Sequence, residues 1–320
     1  MYYLGIDLGG TNIAVGVVDE NYNIIKKKST PTLANRDGKL IMKDMAQVCK
    51  EVIEECGLTI DDIEYAGIAS PGTVNSDTGV VVYANNLPFK DFPIADLLKE
   101  YLGVKKVYIE NDANAAAKAE AIAGAAKGAQ YSVMITLGTG LGGGIVLDGK
   151  VYSGFNHAGA ELGHIVIQKD GKQCSCGRRG CWETYSSATG LTNMTKEHLI
   201  KAREEGRATI IEDLIKGDLN NVNARVAFAA MKQGDEVGKE IVDEFISYLA
   251  SGIATVINIF QPNVLSIGGG VCNEKDNLLV PLKKAVFNET YTREGSQQTE
   301  IKIAEMGNAA GIVGAAVLGL

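Results

Sequence analysis

No stretch of this sequence is apolar for long enough to cross a bilayer. The longest late apolar run, residues 309–320, contains three glycines and falls well short of the roughly 20 residues a helix needs to span. Basic residues are in deficit, 31 Lys and Arg against 39 Asp and Glu, and the formal charge of −8 argues against nucleic acid as a principal partner. Residues 1–10 have no basic n-region and are interrupted by Asp7, so they do not read as a secretory signal. With only six prolines and no Ser-rich tract, composition marks no linker. Any domain boundary must then fall at a short hinge, for which the stretch near Asn111 is best placed. These absences predict a soluble cytoplasmic protein that engages neither membrane nor nucleic acid. What is present is ordinary: 46% hydrophobic and 22% charged residues over 320 positions supply a sizeable core, in two lobes or one large α/β domain.

Cysteine is concentrated. Three of six, Cys174, Cys176 and Cys181, follow His164 by ten to seventeen positions. Three thiolates and an imidazole form the ligand set of a closed, structural zinc site, and Gly177 and Gly180 let the loop wrap an ion. The alternatives are a stray cluster or a disulfide, and a disulfide is disfavoured in a cytosolic chain. Cys49, Cys56 and Cys272 lie among apolar residues and read as buried fillers. Glu161 and Glu183 flank the zinc ligands, so a metal at the centre would draw both carboxylates towards one substrate pocket.

Glycine marks two further places. The opening residues read as strand, Gly-rich turn, strand, turn, strand, and residues 131–154 repeat that pattern. Aligned, Ile6, Leu8, Gly9, Val17 and Asp19 meet Ile135, Leu137, Gly138, Val146 and Asp148, as a duplicated hairpin would. The second copy contains Gly138-x-Gly140-x-x-Gly143, but the dinucleotide fingerprint needs a helix to start there, and an apolar run follows instead. What remains is a pair of turns, Gly9-Gly10-Thr11 and Gly138-Thr139-Gly140, whose bare N–H groups can close around phosphate oxygens. Asp7 at the end of the first strand could hold Mg²⁺, or simply cap a turn.

Between the copies, residues 40–56 place Ile41, Met45, Val48, Val52 and Ile53 on one helical face, and Gly57 ends it. A strand at 64–69 runs into Ser70-Pro71-Gly72-Thr73, where glycine allows close approach of a ligand. Asn85 and Asn86 read as turn formers, ahead of a helix over 93–102. A strand over 106–109 delivers Glu110-Asn111-Asp112 to an alanine-rich helix, 113–127. Asp112 then either caps that helix or takes a proton from an alcohol. The residues alone leave these nearly even. Helices are predicted over 182–204 and 221–260, and a strand over 264–267 ends in Gly268, Gly269 and Gly270, a turn suited to a flat base or ribose.

The segments Asp7-Leu-Gly-Gly-Thr11, Glu110-Asn-Asp-Ala-Asn114, Leu137-Gly-Thr-Gly-Leu141, Glu161-Leu-Gly-His164 and Cys174-Ser-Cys-Gly-Arg-Arg-Gly-Cys-Trp-Glu183 together resemble the ROK family of sugar kinases and regulators. The likeness covers essentially the whole chain, and the last segment is its most specific mark. It implies the two-lobed actin-like (ribonuclease H-like) α/β fold with a cleft between the lobes. Residues 1–111 would form the smaller lobe, with the C-terminal helix, 308–320, packed back on it, and 112–307 the larger. It implies ATP-dependent phosphorylation of a hexose 6-hydroxyl, glucose first and an N-acyl hexosamine second. By position, Asp112 would be the general base, its proton affinity raised by repulsion from Glu161 and Glu183. Gly72, Asn85, Asn111, Asp112, Glu161, His164 and Glu183 would bind the sugar, with Thr73 a weaker candidate. Thr11, Thr139 and Gly140 would face the phosphates, with Gly9, Gly10 and Gly138 in the same turns; Asp7 would serve Mg²⁺, and Gly268, Gly269 and Gly270 would line the adenosine site. His164, Cys174, Cys176 and Cys181 would hold Zn²⁺. A homodimer is implied by the family alone. Regulators of the family carry a DNA-binding segment ahead of the first phosphate strand, for which a strand beginning by Tyr3 leaves no room.

Overall fold

The computed structural model describes residues 1–293 and 295–320. The chain opens as an antiparallel meander, β1 (Tyr2–Leu8), β2 (Asn12–Asp19) and β3 (Ile24–Pro31). Because β1 and β2 pair from Tyr2 with Asp19 to Leu8 with Ile13, residues 9–12 form a tight bend. Helix α1 (Gly38–Glu55) follows, started by the Asp37 side chain, and buries Ile41, Met45, Val48 and Val52 as their spacing predicts. Strand β4 (Ile63–Ser70) runs parallel to β1. A small sheet of β5 (Thr73–Asn75), β6 (Val80–Tyr83) and β7 (Lys90–Phe92) leads to α2 (Ile94–Leu102), and β8 (Val107–Asn111) pairs in parallel with β4. Helix α3 (Asp112–Ala123) starts without an intervening residue. The first sheet has the order β3-β2-β1-β4-β8.

The pattern then recurs. Strands β9 (Tyr131–Leu137), β10 (Leu141–Leu147) and β11 (Lys150–Val151) form a second meander. After the cysteine-rich loop come α4 (Glu183–Ser186), α5 (Ala188–Glu204), α6 (Ile211–Ile215), α7 (Val226–Met231) and α8 (Glu236–Phe260). Strand β12 (Val264–Gly268), α9 (Asp276–Glu289), β13 (Glu300–Ile303) and α10 (Ala310–Ala316) complete the chain. The second sheet has the order β11-β10-β9-β12-β13, and β12 and β13 pair in parallel as β4 and β8 do. The five-residue sequence match thus belongs to two sheets of one topology, a meander followed by two further strands.

Two predicted helices are interrupted. The segment 182–204 breaks at Ser187, whose hydroxyl accepts a 3.0 Å bond from the Gly190 N–H and starts α5. The segment 221–260 breaks before Asp235, a buried carboxylate that accepts from the N–H groups of Gly238 and Ile210. Asp and Ser bond backbone donors that a continuous helix would leave unmet at a new N-terminus. Helix α3 stops at Ala123, ahead of Gly124, rather than at 127.

The chain forms two compact units, one of Met1–Ser132, Gly144–Ala160 and Glu305–Leu320, the other of Val133–Gly143 and Glu161–Ala304. The chain therefore leaves the first unit after Ser132, not at Asn111. Helix α3 stays with it because Ala115 and Ala119 are buried against Ala315, Val313 and Val317 of the C-terminal segment. The first unit's main core joins Leu4, Ile6, Ile13 and Val15 of the sheet to Met45 and Leu98. In the second, the buried ring of Trp182 lies against Gly252 and donates a 3.1 Å bond to the Tyr248 carbonyl. No helix among the described residues is long and apolar enough to cross a membrane.

Candidate functional site

In the first unit the decisive geometry is at the β8–α3 junction. The N-cap of α3 is Asn111, whose side-chain oxygen accepts from the N–H groups of Ala113 (2.9 Å) and Asn114 (3.3 Å). Asp112 is the first helical residue and needs only a single further bond from Ala113 N–H. Its side chain is open to solvent yet sits in a recess crowded by protein atoms, and that partial desolvation raises its proton affinity. Asp7, half-buried at the end of β1, is raised first by burial and then by the charge of Asp112. The two carboxylates therefore feel one another.

The Asn111 amide also donates a 3.1 Å bond to the Gly72 carbonyl, tying the helix start to the 71–73 turn. Gly72 has φ +91°, and a Cβ there would overlap the Tyr83 carbonyl, so only glycine fits. Thr73 is half-buried opposite Tyr83, and Asn85 is exposed between β6 and β7. Behind them Glu110 is buried and accepts from Asn111 N–H (2.8 Å) and the Asn114 amide (3.1 Å), which fixes the strand end. The bend at residues 9–12 is held by the Thr32 hydroxyl, which donates to the Gly9 carbonyl at 2.6 Å, and leaves Thr11 exposed.

In the second unit the matching turn, Gly138-Thr139-Gly140, likewise leaves its threonine exposed. It is braced by the start of α5. Ala188 N–H donates to the Gly138 carbonyl (2.9 Å), and the Thr189 hydroxyl to the Thr139 carbonyl (2.7 Å). No helix begins at the glycines themselves, which disposes of the dinucleotide fingerprint. Two cavities meet at Thr139. One, of about 440 Å³, is lined by Gly138, Ala188, Asn223, Arg225, Gly270 and Glu274, among others. The other, of about 580 Å³, is lined by Gly140, Glu183, Lys172, Ser175 and Lys196 among others. Of the three glycines expected at a nucleoside, Gly270 lines the first of these cavities. Gly268 is buried in β12, and Gly269 packs on the Leu137 carbonyl.

His164, Cys174, Cys176 and Cys181 converge, their four ligand atoms all within 4.8 Å of one another. The Cys174 sulfur lies 3.7 Å from His164 Nδ1 and the Cys176 sulfur 3.6 Å from that of Cys181. Tetrahedral zinc with Zn–S bonds of about 2.3 Å separates its ligands by about 3.8 Å, so the set fits the ion. Nδ1 faces the thiols, which leaves Nε2 for another partner. The loop closes through backbone bonds, Cys174 N–H to Arg178 and Gly180 N–H to Lys172. Asp7, a half-buried carboxylate beside the 9–12 bend, offers the oxygen donors that Mg²⁺ takes.

Sequence reading missed Ser187, Ala188 and Thr189, although consecutive serines before an alanine are a helix-start signal, and it missed Asn223, Arg225 and Glu274, which carry none. Glu161 is exposed ahead of the short turn Leu162–His164, while Glu183 is half-buried and spends one oxygen on Leu141 N–H.

A glucokinase of Thermotoga maritima is 35% identical over 98% of this chain and 95% of its own length. An N-acetyl-D-glucosamine kinase of Aliivibrio salmonicida is 30% identical over the full length of both. Among solved structures, that of a ROK family glucokinase from Streptomyces griseus in complex with glucose and AMPPNP matches with a TM-score of 0.78 at 33% identity, covering 99% of each chain. The ROK family model itself matches residues 3–320. With paired sheets of equal strand order and relatives spanning the whole chain, the protein belongs to the ROK family and has its two-lobed actin-like fold.

Proposed function

We propose that the protein is an ATP-dependent hexose kinase that phosphorylates the 6-hydroxyl of glucose, with Asp112 as the general base. The observation that carries this reading is the division of labour at the head of α3. Asn111 does the capping, so Asp112 remains available at a strand end with its proton affinity raised towards the working range of a base. Identity to glucokinases across the chain supports the sugar class.

Phosphoryl transfer asks a protein mainly to position groups and neutralise charge. Gly72, Asn85, Asn111, Glu161, His164 through Nε2, and Glu183 would hold the sugar hydroxyls, with Thr73 beside them. The turns 9–11 and 138–140 would receive the phosphates, and the cavity at Gly270 the nucleoside. Asp7 would hold Mg²⁺, whose chemistry is to offset charge on the transferred group. As the hydroxyl attacks, Asp112 accepts its proton. Zn²⁺, enclosed by four protein ligands, would shape the loop that carries Glu183 and leave no open position for Lewis-acid work. A cytoplasmic homodimer belongs to the same proposal.

The second reading, an N-acyl hexosamine kinase, is supported by the Aliivibrio relative. A coupled assay with glucose, mannose, fructose, N-acetylglucosamine and N-acetylmannosamine, each with ATP or polyphosphate, separates them. Glucose with ATP is expected to give the highest kcat/KM. Preference for an acetamido sugar would replace the glucose reading, and no turnover with any pair would sink both.

A further inference from the structure

Two buried charges of α3 take no part in the chemistry above. Glu120, 1% exposed, accepts from the N–H groups of Met306 (2.8 Å) and Glu305 (3.2 Å). Lys118, two residues earlier and 7% exposed, donates to the carbonyls of Gly149 (2.8 Å) and Leu320 (3.3 Å). One helix thus grips the C-terminal segment at both ends. An isolated buried charge is costly, so each is retained by the backbone groups it satisfies.

Between those grips α10 lies against β1, β4 and α3 at distances that only bare backbone permits. A Cβ at Gly5 or Gly67 would overlap carbonyls of α10, at Ile312 and Ala315. Gly314 stands in the same relation to the Ala115 carbonyl in the first turn of α3. At Gly311 the neighbour is different. A side chain there would run into the carboxylate of Asp7 itself. The segment therefore touches Asp7 at one glycine and, at another, the helix whose first residue is Asp112.

Resting on the roles proposed above for Asp7 and Asp112, we infer that α10 is a positioning element of the catalytic centre, with Gly311 setting where the Asp7 carboxylate stands. The seat behind Asp7 is backbone, close-packed and without slack. A Cβ at Gly311 would overlap the Asp7 Cγ and Oδ2 and come within 2.8 Å of Oδ1, so the carboxylate itself is what this backbone seats.

The test is a double-mutant cycle between Gly311→Ala and Asp7→Asn, with Gly319→Ala as control. Gly319 belongs to the same segment, but its Cβ would meet the rings of Tyr65 and Tyr108, not a carboxylate. Gly311→Ala is expected to lower kcat about tenfold or more while calorimetric sugar affinity stays within about twofold. In the Asp7→Asn background the same change should cost almost nothing further. Gly319→Ala should lower the melting temperature and keep kcat. Unchanged kcat in Gly311→Ala, or an equal loss in both backgrounds, overturns the inference. Normal turnover in Asp7→Asn alone refutes the role of Asp7 and takes the inference with it. Should Gly311→Ala not fold, Lys118→Met releases one grip without adding bulk. It should lower kcat about threefold in the natural background and not in Asp7→Asn, and unchanged kcat there overturns the inference equally.

Discussion

The Glu183 carboxylate accepts a 2.9 Å hydrogen bond from the backbone N–H of Leu141. Glu183 is two residues past the last cysteine ligand, and Leu141 is the first residue after the 138–140 turn. The cysteine-rich loop and the 138–140 turn are therefore coupled through one side chain, and Gly140 is bare where a Cβ would strike the same carboxylate.

From that coupling, Glu183→Ala is expected to weaken both sugar and nucleotide, whereas Glu161→Ala weakens sugar alone. A lost charge-assisted bond of about 1.5–3 kcal/mol corresponds to roughly a tenfold to hundredfold rise in KM. Separate KM determinations for the two substrates check this. Equal behaviour of the two variants would remove the coupling from the explanation.

Asp112→Asn should lower kcat by about 10²–10⁴ while sugar affinity holds. In the natural protein kcat/KM should fall as acid protonates Asp112. Because its proton affinity is raised, that fall begins at higher pH than an exposed aspartate's value of about 3.9 would give. The stability effect has the opposite sense. A carboxylate whose folded pKa is raised contributes stability below its unfolded pKa and loses it as pH rises through the folded pKa. Asp7→Asn should therefore raise the melting temperature at neutral pH even as turnover drops. A scan of both variants across pH tests both signs.

Cys176→Ser should bind less than one zinc per chain by elemental analysis and need more sugar for half-maximal rate. Cys176 is the exposed member of the ligand set, so the substitution leaves no buried gap. A metal-free variant with natural kinetics would separate the ion from the sugar site.

Gly270→Ala offers a clean reading of the nucleoside site. A Cβ there meets nothing within 4 Å, and the backbone is not in the left-handed region, so the fold should be unaffected. If the cavity at Gly270 takes the nucleoside, KM for ATP should rise about tenfold, as about 1.4 kcal/mol of lost contact gives, with sugar KM unchanged. An unaltered ATP KM would move the nucleoside elsewhere.

Much of this was legible locally. The alternation of residues 1–31 and 131–151 gave two meanders because strand periodicity and turn glycines are properties of neighbours in sequence. The cysteine spacing likewise predicted a grouping with His164 that the fold brings together. The helices over 182–204 and 221–260 were read too long, since Ser187 and Asp235 act as caps only when the chain turns there. Gly268 and Gly269 resemble Gly270 in sequence, but only packing shows that Gly268 is buried in β12 and that Gly269 lies against the Leu137 carbonyl.

By itself, then, the sequence determined most of the elements, the duplication and the grouping of His164 with three cysteines. These follow from residue type and short spacing. Tertiary structure decided which of two adjacent residues, Asn111 or Asp112, caps α3, and it seated Gly311 of the last helix against Asp7 of the first strand. The reason is physical. Competition for one pair of N–H groups, and contact across some three hundred residues of chain, depend on how backbones are brought together in space.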